Sequence, residues 1–132
     1  MIFLQQNKEP EINVNRDLVL QYKARGDIYL VAIRTELTKQ LVFYEVYDYW
    51  QDMCNAYYDV ISLVLDPTSY DSKTMRDNMK KFSESIKSFL KRIQGYVLDN
   101  VIDKLEKYCS KLEYLLTKFN YIVEKILEDD KR

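Results

Sequence analysis

Residues 98–126 read LDNVIDKLEKYCSKLEYLLTKFNYIVEKI and carry an apolar residue at every third or fourth position. That spacing keeps one stripe of an α-helix apolar. The stripe consists of Leu98, Val101, Leu105, Tyr108, Leu112, Leu115, Phe119, Ile122 and Ile126. A second apolar column runs beside it and consists of Ile102, Cys109, Leu116 and Val123. A face this wide is typical of a helix that packs against two neighbours in a bundle, rather than of a two-stranded coiled coil.

Two earlier segments, 16–65 and 73–94, carry apolar stripes with the same spacing. In the segment 73–94 the stripe is Met75, Met79, Phe82, Ile86, Phe89 and Ile93. In the first it is Phe43, Val46, Trp50, Met53, Tyr57, Val60 and Val64, and it continues less regularly upstream through Tyr22, Tyr29, Ile33 and Leu37. Both segments are therefore predicted to be amphipathic helices.

Two interruptions set the predicted helix boundaries. Pro67 disfavours helical geometry at the residue before it, and the polar residues that follow have turn chemistry. At Gly95 the stripe changes phase, which favours a break over one bent helix. We expect an all-α bundle of three or four helices over 16–65, 73–94 and 97–129. The first helix is either continuous or divided near Gly26.

The composition is that of a globular chain with one domain. The 132 residues are 47% apolar and 31% charged, and they include two glycines and two prolines, too few for an all-β sandwich or barrel. Residues 1–15 are polar and aperiodic, so we expect an N-terminal arm followed by a helical domain over 16–132. The apolar start at 1–4 is too short for a signal peptide, and no uncharged stretch is long enough to span a membrane. We expect a cytoplasmic protein, or one of the virion or host cytoplasm if it is viral.

The residue inventory argues against an enzyme. The sequence has no histidine, which removes the imidazole base and the histidine metal ligand. Cys54 and Cys109 cannot form a four-ligand zinc site, and two isolated glycines cannot form a phosphate-binding loop. Both cysteines lie among apolar residues, so we expect packed thiols that do not pair. The sequence predicts neither catalytic residues, nor a metal, nor a cofactor.

Charged residues supply one group of candidate binding residues. Seven basic residues and two acidic residues lie between 73 and 92, and a column of lysines recurs every seven residues in the last helix. Lysines on a helical face can neutralise a nucleic-acid backbone. The candidates for an anion or nucleic-acid site are Lys73, Lys80, Lys87, Lys91, Lys104, Lys111, Lys118 and Lys125.

Charge pairing inside the chain is the simpler interpretation of the basic segment. An acidic segment precedes the turn at Pro67 and contains Glu45, Asp48, Asp52 and Asp59 without a basic residue among them. In an antiparallel hairpin around that turn, residues whose numbers sum to about 138 face each other. The acidic and basic segments would then lie side by side.

Aromatic residues supply the other candidate. The chain has 12 tyrosines, five phenylalanines and one tryptophan, and half of them lie on the apolar stripes and are therefore predicted to be core residues. Tyr49 instead shares a helical face with acidic residues. We expect Tyr49 to face solvent in a monomer and to contact a protein partner.

These features support two hypotheses for the function. The first is a non-enzymatic assembly or interaction protein that associates with itself or with another protein. The alternative is a nucleic-acid-binding coat or regulatory protein of a virus or plasmid that uses the basic helical face. An isoelectric point near 5.6 favours the first hypothesis, because dedicated DNA-binding domains are commonly basic.

Overall fold

The computed structural model describes residues 15–40 and 43–130, and within these ranges every regular element is helical. The described ranges contain four α-helices: α1 (Arg16–Thr38), α2 (Phe43–Leu65), α3 (Ser72–Ile93) and α4 (Asp99–Asp130). The 3-10 turn Pro67–Ser69 joins α2 to α3. The predicted all-α bundle is confirmed. Except for Asn15, the predicted N-terminal arm lies outside the described residues.

Side-chain caps fix the starts of α1 and α3. The side chain of Asn15 accepts a hydrogen bond from the backbone N–H of Leu18 at 3.1 Å. Asp71 accepts one from the backbone N–H of Thr74 at 2.7 Å. Each cap satisfies a donor that has no partner inside the helix. The predicted breaks at Pro67 and Gly95 are both confirmed.

The predicted continuous helix over 16–65 is wrong, and so is its alternative division near Gly26. The chain leaves α1 after Thr38, where the N–H of Gln40 bonds to the carbonyl of Leu37 at 3.0 Å. Gly26 instead lies buried in the middle of α1, where the ring of Tyr57 from α2 packs against it. A glycine is needed there for close packing between two helices, and it does not end the helix.

The helices run alternately up and down around one core. The indole N–H of Trp50 in α2 donates to the carbonyl of Leu30 in α1 at 3.0 Å. The rings of Tyr57 and Phe82 lie 5.7 Å apart, which confirms the expected hairpin register of α2 and α3. Helix α4 contacts both α3 and α1, so the four helices close into a ring in which neighbours are antiparallel.

The core contains most of the predicted stripe residues together with neighbouring apolar residues such as Val19, Leu30 and Ile61. All six stripe residues of α3 are buried, as are the four residues of the second apolar column in α4. Leu98, which precedes the first residue of α4, is 69% exposed. Six other stripe residues are only partly buried against the core: Tyr22, Tyr29, Phe43, Trp50, Tyr108 and Ile122. Cys54 and Cys109 are buried and free, as expected.

Candidate functional site

The candidate lysines of α3 lie on its exposed face. Lys73 pairs with Asp77 at 3.0 Å, and its hydrogen bond with the Asp77 carboxylate raises the pKa of Lys73 above its usual value. Lys80 borders a shallow groove between α3 and α4. Lys87 and Lys91 are exposed and have no ion-pair partner in the described part of the chain. This face is therefore largely free to meet another molecule.

The lysine column of α4 faces α1 instead. Lys104 approaches Glu36 of α1 at 3.9 Å, and the Lys111 ammonium lies 5.5 Å from the centre of the Tyr29 ring. Lys118 lies 4.9 Å from the centre of the Tyr114 ring, and a hydrogen bond with that side chain raises the pKa of Lys118. Lys125 is exposed near the end of the helix.

The eight candidate lysines do not form one continuous basic face. Glutamates occupy the flank of α4 that faces α3, where Glu124 approaches Arg76 at 3.7 Å. Glu113 and Glu106 lie close enough to the buried thiol of Cys109 to raise its pKa together with the larger effect of burial. This acidic row separates the candidate lysines of α3 from the lysine column of α4.

A basic and aromatic groove lies between α1 and α4. Its volume is about 450 Å³, and it is lined by Arg25, Tyr29, Lys107, Ser110, Lys111, Tyr114 and Leu115. Three cationic side chains and two tyrosine rings thus surround a concave surface without a carboxylate in the lining. Arg25, Tyr29, Lys107 and Tyr114 were not predicted as site residues. They come together through the antiparallel register of α1 and α4, which the sequence pattern does not specify.

Tyr49 is half-buried and does not face solvent as expected. Its ring lies in the groove between α2 and α3, with the guanidinium carbon of Arg92 4.9 Å from the ring centre. Tyr49 lies one helical turn before the core residue Met53, on the side of α2 that borders α3. Its contacts in the described chain are therefore with the neighbouring helix.

The expected pairing between the acidic segment of α2 and the basic segment of α3 is not observed. Among residues 15–40 and 43–130, no ion pair within 4.0 Å joins these two helices. The four carboxylates, which we call the acidic face of α2, are all exposed: Glu45, Asp48, Asp52 and Asp59. Asp52 lines the groove between α2 and α3 beside Lys81 and Arg92, but its carboxylate lies more than 4.0 Å from both cations.

The solvent-facing side of α1 carries apolar residues, whereas this side of an amphipathic helix usually carries charged or polar residues. Leu20, Ile28 and Val31 are 41%, 64% and 60% exposed, and Ala24 is exposed between them. Their spacing puts all four on one side of the helix, opposite its buried side. We call them the outer stripe of α1. The stripe predicted for this segment, which consists of Tyr22, Tyr29, Ile33 and Leu37, does not include these residues, and no exposed apolar stripe was predicted from the sequence.

The two thiols are unsuited to nucleophilic chemistry. Burial raises the pKa of Cys54 to about 12 and that of Cys109 to about 12. Both are therefore neutral thiols at physiological pH, whereas reactive cysteines have a depressed pKa and are accessible. The described residues contain no group of three potential ligands that could hold a metal ion.

Comparisons with known proteins do not assign this chain to a family or a fold relative. No protein-family model, curated protein or solved structure matches this chain. In the described ranges, no helix has the length and apolar character required to cross a bilayer.

Proposed function

We propose that this protein is a non-enzymatic assembly protein that associates with itself through the outer stripe of α1. The observation that carries the proposal is the exposure of Ile28 and Val31, at 64% and 60%. Single exposed apolar residues are common on protein surfaces, but four on one helical face form a patch typical of an interaction site. Burying such surface contributes roughly 25 cal/mol per Å² before the cost of association.

A second copy of the chain is a suitable partner for this stripe. The stripe extends over residues 20–31, which corresponds to roughly 16 Å of helix. Two copies related by a twofold axis would place the same stripe on both sides of the contact. Its small and β-branched side chains allow the two helices to approach closely.

Sedimentation velocity at high salt tests this contact, because ions screen charge pairs but do not weaken apolar contacts. We expect the wild type to form dimers and the variant Ile28→Glu to be monomeric. Tyr121→Glu is the matched control, since Tyr121 is 67% exposed on α4, away from the stripe. A wild type that stays monomeric at high protein concentration would refute the proposal.

Nucleic-acid binding is the second candidate function, and the groove between α1 and α4 favours it. Cationic side chains there could contact phosphates while bases stack on Tyr29 or Tyr114, a combination typical of single-strand binding. Titration of a labelled single-stranded oligonucleotide at ~50 mM salt tests it, since phosphate contacts weaken steeply as salt rises. Lys107→Glu with Lys111→Glu should abolish binding. If the triple change of Lys73, Lys80 and Lys87 to glutamate abolishes it instead, the site lies on α3.

A further inference from the structure

We propose that self-association has a second, electrostatic contact in which the acidic face of α2 in one copy lies against the basic face of α3 in another. The basic face consists of Lys73, Arg76, Lys80 and Lys87, all of them exposed. This inference rests on the proposed function, because it assumes that the partner is a second copy. It adds a contact between two unlike surfaces to the symmetric contact through the outer stripe of α1.

The spacing of the charges carries the inference. Each of the four residues of the basic face stands 28 residues after one residue of the acidic face, so the two rows have the same steps of three, four and seven. The matched pairs are Glu45 with Lys73, Asp48 with Arg76, Asp52 with Lys80, and Asp59 with Lys87. When α2 of one copy lies parallel to α3 of another, every carboxylate meets a cation.

These matched pairs cannot form within one chain. Helices α2 and α3 are antiparallel, and Tyr49 near the start of α2 contacts Arg92 near the end of α3. Glu45 and Lys73 therefore lie at opposite ends of the hairpin. The acidic face has no ion-pair partner in the described part of the chain, and on the basic face Lys80 and Lys87 have none either.

The remaining two bases do not oppose this contact. Lys73 and Arg76 are paired with Asp77 and Glu124, but all four side chains are more than half exposed. Exposed pairs of this kind are weak and exchange partners readily. Lys73 and Arg76 can therefore turn toward a carboxylate of another copy.

The contact joins two different surfaces, which determines the form of the assembly. An interface between unlike faces leaves one acidic and one basic face free at the ends, so it extends into a series of species unless a ring closes. The outer stripe of α1 joins like surfaces and stops at a dimer. At low salt the two contacts together should give species larger than a dimer, and at high salt dimers alone should remain.

Charge reversal and mixing test the inference. One variant carries Asp52→Lys and Asp59→Lys, and the other carries Lys80→Glu and Lys87→Glu. Each variant alone at ~50 mM salt should lose the species larger than a dimer, because like charges then face each other, with association weakened roughly tenfold or more. A 1:1 mixture should restore these species, since the reversed α2 face of one variant complements the reversed α3 face of the other, and their two unchanged faces complement each other. This rescue also shows that both variants are folded.

Matched controls have the same change in net charge at other exposed positions. They are Asp103→Lys with Glu128→Lys, and Lys107→Glu with Lys125→Glu. Both controls should assemble like the wild type. If the wild type stops at dimers at every salt concentration, or if the reversed variants assemble normally, this inference is wrong while the proposed function stands. A wild type that is monomeric throughout overturns both.

Discussion

The ring of Tyr57 in α2 lies directly against the backbone of Gly26 in α1. The Tyr57 hydroxyl donates a hydrogen bond to the carbonyl of Lys23, one turn earlier in α1, at 2.6 Å. Tyr57 is fully buried, so its single polar atom is satisfied while its ring fills the space that a glycine leaves. This contact fixes the distance between α1 and α2.

The variant Gly26→Ala should therefore lose stability. An alanine favours a helix over glycine by about 1 kcal/mol, but its methyl group would overlap the Tyr57 ring, and overpacking costs about 1–3 kcal/mol. Because a buried ring cannot swing away like a flexible chain end, we expect the overpacking cost to exceed the helix-propensity gain, with a net loss of up to about 2 kcal/mol in the free energy of unfolding, measured by urea denaturation.

Gly95→Ala is the matched control for that substitution. A methyl group at Gly95 meets no atom within 4 Å. Since alanine lowers the entropy of the unfolded chain, the free energy of unfolding should stay constant or rise by up to about 1 kcal/mol. Equal losses at Gly26 and Gly95 would contradict the packing role of Gly26.

The cap of α3 should be measurable in the same assay. Asp71→Ala removes the acceptor for the N–H of Thr74 and should lower the free energy of unfolding by about 1 kcal/mol. Asp71→Asn keeps a side-chain oxygen at that position and should preserve most of the stability. A loss as large in the asparagine variant as in the alanine variant would show that the cap is not the cause.

The buried cysteines should make the fold sensitive to alkali. Their folded-state pKa of about 12 lies above the ordinary value of 9.0, so above about pH 9 the unfolded state releases thiol protons that the folded state retains. The folded state then binds more protons, and stability falls as the pH rises. Between pH 9 and pH 10 each cysteine should cost about 1 kcal/mol.

Burial also raises the pKa of Tyr57, which adds to the loss at higher pH. Unfolding curves measured at several pH values test this dependence. The double variant Cys54→Ala, Cys109→Ala should show a shallower decline between pH 9 and pH 10. An unchanged slope would argue against thiol ionisation as the cause.

Thiol labelling gives an independent test of the core. A thiol reagent should modify Cys54 and Cys109 at least about a thousandfold more slowly in the native protein than in denaturant, because labelling requires the core to open. An added exposed cysteine, Thr117→Cys, supplies the matched control and should react rapidly in the native protein. Rapid modification of the wild-type thiols would place them outside a stable core.

The sequence predicted α3 and α4 well because their stripes are regular and their boundaries carry clear signals. Pro67 and Gly95 mark breaks through backbone chemistry that acts within a few residues. The turn after Thr38 has no such signal, since residues 38–43 contain neither glycine nor proline. A helix over 16–65 would be roughly 75 Å long and could not fold its two apolar halves against each other. Tertiary packing therefore determines this turn.

The candidate surfaces were less predictable than the core. Burial of an apolar residue follows from the periodicity of its own helix, as for Phe82 and Leu112. The groove between α1 and α4 instead depends on which helices are neighbours and on their register. The same holds for Tyr49, whose exposure changes once α3 lies on one side of α2.

The closure of α1 against α4 has a consequence for the order of folding. The hairpins α1–α2, α2–α3 and α3–α4 join segments that are adjacent in the sequence, so they form at little cost in loop entropy. Contacts such as that between Tyr22 and Phe119 join residues almost a hundred positions apart. We infer that α1 completes its docking on α4 late, after the hairpins have formed. Substitutions in the contact between α1 and α4, such as those at Tyr22 and Phe119, should therefore speed unfolding more than they slow folding.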